Sequence, residues 1–302
     1  MDLDSLHIFA RVADLHSFTQ AAEQLNLTKS RVSTVVQQLE QQVGTRLLQR
    51  TTRQVRLTAD GEQFLYSCKA LLSEAEQLQG MFQPAASGLR GSLRIELPTS
   101  LARDVVIARL PEFLALHPLL QVGISTSDQL VDVVKEGFDC VVRVGVPADT
   151  SLIARPLGVM EMCNLASPAY LDKHGIPHTL ADLAHHRIIH YASKLGTHGS
   201  GWQYQVGADF SIQSMRSTLV VNGADAYQAA CLAGLGLIQA PVHSTHQLVN
   251  RGLLVKVMPD FTAAPMPVSL LYPHRKQIAP RVSACLNWLT QVIESYLTNV
   301  GK

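Results

Sequence analysis

The sequence predicts an α/β chain with an all-α-rich N-terminal domain. Three observations carry this. Apolar residues recur at helical spacing through the first 43 residues, an apolar seam spaced 4-3-4-3-4 begins at Phe64, and from Ser92 strand-like apolar runs alternate with helical ones. At roughly 100–200 residues per domain, 302 residues suit two or three domains.

Leu3, Leu6, Phe9, Val12 and Ala13 predict a first helix. Ser17-Phe-Thr-Gln20 has the capping-box pattern, in which the serine accepts the N3 amide and the glutamine reaches back, opening a short helix with Ala21, Ala22 and Leu25 inward. After a turn at Asn26-Leu27, Thr28 caps a third helix with Val32, Val35, Val36, Leu39 and Val43 on its apolar side, and Gly44 ends it. Leu47-Leu48 and Val55/Leu57 flank a polar turn at 50–54, as in a small two-stranded wing. A long helix follows Thr58. Its seam of Phe64, Cys68, Leu71, Ala75, Leu78 and Phe82 is narrow and surrounded by polar residues, which suits pairing with another helix. Pro84 and the Ala/Ser/Gly stretch to 91 stop it and form a hinge.

Beyond the hinge, strands are expected at 93–97, 122–125, 140–144, 162–166, 219–221, 237–240 and 268–272. Helices are expected at 105–116 and 130–134, from Gly223, and from Pro280 to about Leu297. This is more repeat than one small domain needs, so two lobes sharing crossovers near Met162 and near 264–267 are expected.

Apolar residues make up 47% of the chain and charged residues 16%, against about 25% charged in an average protein. The net charge of +1 excludes a polybasic or polyacidic chain. Five cysteines without a CxxC pair argue against a disulfide framework. The start, MDLDSLHIF, lacks a signal-peptide layout, and the most apolar stretch, 229–242, is too short to span a bilayer, so a soluble, intracellular protein is expected.

The net charge conceals an uneven distribution. Between Thr28 and Thr58 lie Lys29, Arg31, Arg46, Arg50, Arg53 and Arg56 against one acid, Glu40, a local charge of +5 that leaves −4 for the rest. Opposite its apolar stripe, the Thr28 helix carries Lys29, Ser30, Arg31, Ser33, Thr34, Gln37 and Gln38. Short hydrogen-bonding side chains on a helix can reach base edges in a major groove while Lys and Arg bind phosphates. Arg50 and Arg53, on the wing turn, are placed for backbone or minor groove.

The stretch LDSLHIFARVADLHSFTQAAEQLNLTKSRVSTVVQQLEQQVGTRLLQRTTRQVRLTADGEQF contains Phe9, Val12, Ser17-Phe18, Ala21-Ala22, Leu25, Ser30, Val32-Ser33, Val36, Leu39-Glu40, Gly44, Leu47-Leu48, Arg50, Leu57-Thr58 and Gly61. In this order and spacing, over about 60 residues without a gap, it closely resembles the winged helix-turn-helix of LysR-type transcriptional regulators. The segments LPEFLALHP, EGFDCVVRVG, ASPAYLDKHG and AACLAGLGL are similar to that family's effector domain.

The resemblance implies a DNA-binding domain at 1–58, a linker (dimerisation) helix and hinge at 59–91, and a two-lobed, periplasmic-binding-protein-like α/β effector domain at 92–302. Lobe I would span about 92–162 plus 268–302, and lobe II about 163–267. The second helix would be 17–25 and the recognition helix 28–42, with Thr28, Ser30, Arg31, Ser33 and Thr34 at DNA and Lys29, Gln37, Arg50, Thr52 and Arg53 at backbone or groove. The family also implies a homo-oligomer, dimer or tetramer, a small-molecule effector, double-stranded operator DNA and RNA polymerase as partners, no cofactor, and a bacterial cytoplasm with the nucleoid as the DNA-bound location.

Effector contacts are expected at strand C-termini, where helix N-termini offer free amides. Candidate strand ends are Pro98-Thr99-Ser100, Ser127-Asp128-Gln129, Val144-Gly145 and Asn222-Gly223, with the loop 193–200, including Thr197 and His198, able to close over them. The expected contacts are Thr99, Ser100, Gln129, Gly145, His198 and Asn222; each position also suits an ordinary cap or turn. A carboxylate ligand would suit the helix ends.

Other chemistries are weakly supported. Eight of twelve histidines fall between His174 and His246, but His185-His186 lacks the glutamate of HExxH. Gly199-Ser200-Gly201 is not a nucleophile elbow, and the AGLGL segment at 233–237 is too short for a dinucleotide fingerprint. The cysteines read as buried and structural. The alternatives are a ligand-processing α/β enzyme fused to a DNA-binding domain, and a DNA-bending protein with no ligand.

Overall fold

The computed structural model describes residues 1–50, 55–80, 88–129, 132–133, 136–146, 152–192, 196, 201–217, 219–274 and 278–298; the side chains at 50, 70, 73–74 and 76–80 are not among those described. Residues 51–54 of the expected wing turn, 130–131 and 134 of the expected helix, most of the hinge, the loop at 193–200 apart from 196, and the site residues Thr52, Arg53, Phe82 and His198 therefore lie outside the described residues. The chain divides into two compact units, Met1–Gly88 with Asp132–Gly137, and Leu89–Val131 with Phe138–Lys302.

In the first unit, α1 (Leu3–Leu15), α2 (Phe18–Gln24) and α3 (Lys29–Val43) enclose Leu6, Phe9, Val12, Ala21, Val32, Val36 and Leu39. The sequence placed a reciprocal capping box at Ser17. Only the serine half forms there, with Ser17 accepting from the Gln20 amide at 3.2 Å, and the full box is at α1, between Asp2 and Ser5. Asn26, at φ +53°, makes the tight turn into Thr28, which caps α3, and Gly44 at φ +79° ends it. Strands β1 (Leu48–Arg50) and β2 (Val55–Leu57) pair antiparallel, Leu48 opposite Leu57.

Helix α4 (Ala59–Gly80) starts at Thr58, whose hydroxyl accepts from the Gly61 amide at 2.9 Å and donates to the Arg46 carbonyl at 2.7 Å. Gly61 is buried against the Leu47 carbonyl, and a Cβ there would stand 1.9 Å from that oxygen. Only glycine permits so close an approach.

In the second unit, β3 (Arg90–Leu97) runs into α5 (Thr99–Leu101), a π turn (Ala102–Val106) and α6 (Ile107–Leu116). Then come β4 (Leu119–Thr126), β5 (Cys140–Val144), β6 (Leu152–Met160), β7 (Met162–Ala166), α7 (Pro168–His174), a 3-10 turn (Asp182–His185), β8 (His190–Tyr191), β9 (Trp202–Val206), β10 (Asp209–Gln213), β11 (Val220–Val221), α8 (Ala224–Leu232), β12 (Ile238–Pro241), α9 (Val242–Asn250), β13 (Val255–Lys256), β14 (Met266–Pro273) and α10 (Pro280–Thr298).

The larger sheet has the order β4-β3-β5-β14-β6. Its β3, β4 and β5 are parallel, and β14 inserts antiparallel between β5 and β6. One face packs Leu93, Ile95, Leu97, Cys140 and Val142 against the π turn and α10. The return of β14 and α10 thus adds residues from late in the chain to the core of the sheet begun at Arg90. The β6 strand was not expected from sequence, because Pro156 and Gly158 interrupt its pattern; both are tolerated on an edge strand beside a bulge. A smaller antiparallel sheet, β12-β7-β13, has separate cores around Leu165, Cys231 and Ile238, and around Tyr170, Trp202 and Leu237. The hairpin of β9 and β10 was also not expected. No helix among the described residues is long and apolar enough to cross a membrane.

Candidate nucleic-acid interface and effector cleft

Helix α3 exposes Lys29, Ser30, Arg31, Thr34, Gln37, Gln38, Gln41 and Gln42, with Thr28 exposed at its cap. At 100° per residue, Ser30, Thr34, Gln37 and Gln41 face most directly away from Val32, Val36 and Leu39. Gln41 extends this face one turn beyond the polar run that ends at Gln38 in the sequence, where Leu39 and Glu40 interrupt it. Ser33 is half-buried on one flank. Arg31 lies on the other, where it lines a groove of about 460 Å³ with Val35, Gln38 and Gln42 and with Asp2, Asp4 and Ser5 of the α1 end.

The helix's single acid is turned away from this face: Glu40 accepts from the amides of Leu47 and Leu48 at 2.9 and 3.0 Å, tying β1 to α3. Arg50 ends β1 opposite Val55.

The expected pairing seam on α4 needs correction in its first half. Phe64 packs edge-on against Phe9 at 5.4 Å between centroids, and the Cys68 thiol donates to the Leu6 carbonyl at 3.3 Å from a position only 1% exposed. Leu65 and Leu72 join the same core. The physical reason is that α1 lies along α4 and needs a lid for its own apolar face. Leu71, 46% exposed, and half-buried Ala75 remain from the seam, and the Leu78 side chain lies outside the described residues.

In the second unit, parallel register aligns the ends of β3 and β4, Leu97 opposite Thr126, and brings the end of β5 to the same edge. Half-buried Thr99 and Ser100 begin a helix here, Gln129 is exposed, and Gly145 (φ +105°) donates to the Pro267 carbonyl at 2.8 Å. Half-buried Asn222 precedes α8.

Asp128, the middle residue of the Ser127-Asp128-Gln129 strand end, does most to bring this edge together. Its Oδ1 accepts from the Thr99 amide at 3.1 Å and its Oδ2 from the Ala224 amide at 2.7 Å. Arg103 adds a contact to Asp225 at 2.8 Å. Tyr191, not anticipated from sequence, stands edge-on to Tyr227 at 5.6 Å. Burial, and then the charge of Asp128, push its hydroxyl pKa up to about 12, so it is a neutral phenol beside that carboxylate. The edge therefore combines hydroxyls, amides, one carboxylate and an aromatic ring, a lining suited to a small polar ligand.

All five cysteines are buried. Burial pushes Cys68 and Cys231 up to about 12. Cys140 is raised first by the neighbouring Cys285 thiol and then by burial, a proximity that residues 145 positions apart could not reveal in sequence. His186 is buried with its Nδ1 3.2 Å from the Tyr170 hydroxyl. Among the described residues no three His, Cys, Asp or Glu side chains converge to hold a metal.

Comparison with known proteins agrees with this layout. Residues 3–62 match the bacterial regulatory helix-turn-helix protein, lysR family, and residues 86–294 match the LysR substrate binding domain. Over 300 residues the chain is 41% identical to the HTH-type transcriptional regulator YhjC of Escherichia coli, covering 98% of this chain and 100% of that one. It is 32% identical over 290 residues to the HTH-type transcriptional repressor PA14_22550 of Pseudomonas aeruginosa, covering 96% and 92%. The full-length structure of the Vibrio cholerae virulence activator AphB, 25% identical, superposes with a TM-score of 0.60 over 96% of this chain and 99% of that one. A helix-turn-helix unit with a hydrogen-bonding outer face, joined in one chain to an effector-type α/β unit, is the organisation of these regulators and not of an enzyme; the chain belongs to the LysR family of bacterial DNA-binding transcriptional regulators.

Proposed function

We propose that this regulator docks α3 in the major groove of double-stranded operator DNA as a homo-oligomer, and that a small molecule bound near Thr99, Ser100, Gln129, Gly145, His198 and Asn222 changes how it does so. The observation that carries the DNA half is the outer face of α3, where Ser30, Thr34, Gln37 and Gln41 offer uncharged donors and acceptors, Lys29 and Arg31 flank them, and the single acid is turned into the fold. Thr28, Ser33, Arg50, Thr52 and Arg53 complete the contact set.

Exposed Leu71, with Ala75, Leu78 and Phe82, supplies the pairing surface of the linker helix, and the 1–58, 59–91 and 92–302 division separates reading, pairing and sensing. The effector acts by binding one assembly state better than another and so shifting their populations. RNA polymerase is the downstream partner, and the bacterial cytoplasm, at the nucleoid, is the location.

The test is selection of genomic fragments on the full-length protein, followed by footprinting and a salt titration. Two or more half-sites at helical-turn spacing, with affinity falling steeply with salt, are expected. Retention of fragments without sequence enrichment would overturn the reading.

A further inference from the structure

We propose that Asp128 is a built-in latch, a carboxylate of the chain's own that bridges the first amide of the Thr99 helix and the first amide of α8. The first N–H groups of a helix have no intrahelical partner. Here Thr99 follows β3 of the larger sheet, and Ala224 begins the helix that packs on the smaller one. One carboxylate satisfies both, at 3.1 and 2.7 Å. Arg103 to Asp225, at 2.8 Å, adds a second link a turn further along; it is half-exposed and contributes little alone.

The chemistry of this link is specific to an acid. An ionised carboxylate presents two acceptor oxygens, one to each amide, and charge-assisted bonds at helix starts are the strong kind. A carboxamide presents one oxygen and an NH2 that would face the other N–H, so asparagine can satisfy one side only.

The consequence for ligands rests on the reading of this cleft as the effector site. A carboxylate ligand finds its amides already taken and gains them only by displacing Asp128. Its entry is therefore coupled to release of Asp128 from both helix starts.

Hydrogen exchange on the full-length protein tests the latch without any effector. In Asp128→Ala, exchange at 99–103 and 224–228 is expected to accelerate about tenfold, the equivalent of one lost bond, with β14 unchanged. In Asp128→Asn, one of the two segments accelerates more than the other. Millimolar sodium formate, against matched chloride, restores protection in Asp128→Ala and leaves wild type unaltered.

Unchanged exchange in Asp128→Ala, acceleration that extends across the five-stranded sheet, or formate acting equally on wild type and variant would each overturn the latch. If Asp128→Ala does not fold, equal protection of both segments in Asp128→Asn does so. Failure of every metabolite in a binding screen would count against the effector reading and leave the latch standing.

Discussion

The carboxylate of Glu40 on α3 lies 2.9 Å from the amide nitrogen of Leu47 and accepts its hydrogen bond, with the Leu48 amide at 3.0 Å on the same oxygen. One side chain thus does two things: it fixes the start of the wing strand, and it removes the only negative charge of α3 from the outer face. Replacing it with alanine leaves two part-buried amides without that acceptor. A loss of about 1–3 kcal/mol in the unfolding of the first unit is expected, with weaker binding to all DNA sequences alike. Glu40→Gln, which keeps an oxygen, should cost less; equal melting temperatures for wild type and Glu40→Ala would refute the anchor.

Gly61→Ala should be more damaging than its size suggests. Its Cβ would meet the Leu47 carbonyl at 1.9 Å, so α4 or the wing has to move. A melting temperature unchanged from wild type would show that the contact yields freely.

The outer face of α3 separates two kinds of contact. Thr34→Ala and Gln37→Ala should reduce discrimination between operator and unrelated DNA, by about 1–3 kcal/mol where the lost contact is bidentate. Lys29→Ala should weaken both DNAs equally and flatten the salt dependence by about one unit. Arg31→Ala is informative because Arg31 sits on the flank beside Asp2 and Asp4. A change in salt slope assigns it to phosphate, and a change in sequence preference assigns it to bases. If no variant alters binding, α3 is not the reader.

Leu71 and Phe64 belong to one sequence seam but should behave differently. Leu71→Glu alters an exposed side chain, so the monomer should stay folded while sedimentation shows loss of the oligomer. Phe64→Ala opens the contact with Phe9 and, since Phe64 is half-buried, should lower the stability of the first unit by about 3 kcal/mol, the low end for such a truncation. An unchanged sedimentation profile for Leu71→Glu would remove α4 from the interface.

The fold should lose stability on mild acidification. The Tyr170 hydroxyl accepts from the Arg187 amide at 2.9 Å and shares a hydrogen bond with Nδ1 of the buried His186 at 3.2 Å. Burial holds the His186 pKa below its ordinary 6.5, and His243 is lowered by burial too. A histidine lowered in the folded state costs nothing above the unfolded pKa, and its penalty grows as pH falls from there through the folded pKa. The melting temperature should therefore fall between about pH 7 and pH 5, and less so in His186→Gln. Identical pH profiles for the two proteins would contradict this origin.

Local periodicity and turn chemistry were sufficient for much of the molecule. The stripes of Leu6–Phe9–Val12 and Val32–Val36–Leu39, the Thr28 cap and Gly44 are written within a few residues of one another, and each forms as those residues dictate. The +5 charge of residues 28–58 was equally legible, and so was the family they belong to.

What depended on residues far apart in the chain was not legible. A Glu in the middle of α3 looks like a solvated acid until the wing returns beside it. The first half of the α4 seam looks available for a partner until α1 covers Phe64 and Cys68. A strand at 266–273 gives no sign that it inserts between β5 and β6. Asp128 read as part of an ordinary strand end, because its two partners lie 29 residues before and 96 residues after it. Helices and caps come from short-range sterics and hydrogen bonds, which the sequence states directly. The pairing of a charge, a thiol or a strand edge with a distant neighbour is set by which surfaces pack together, and only the tertiary structure decided that.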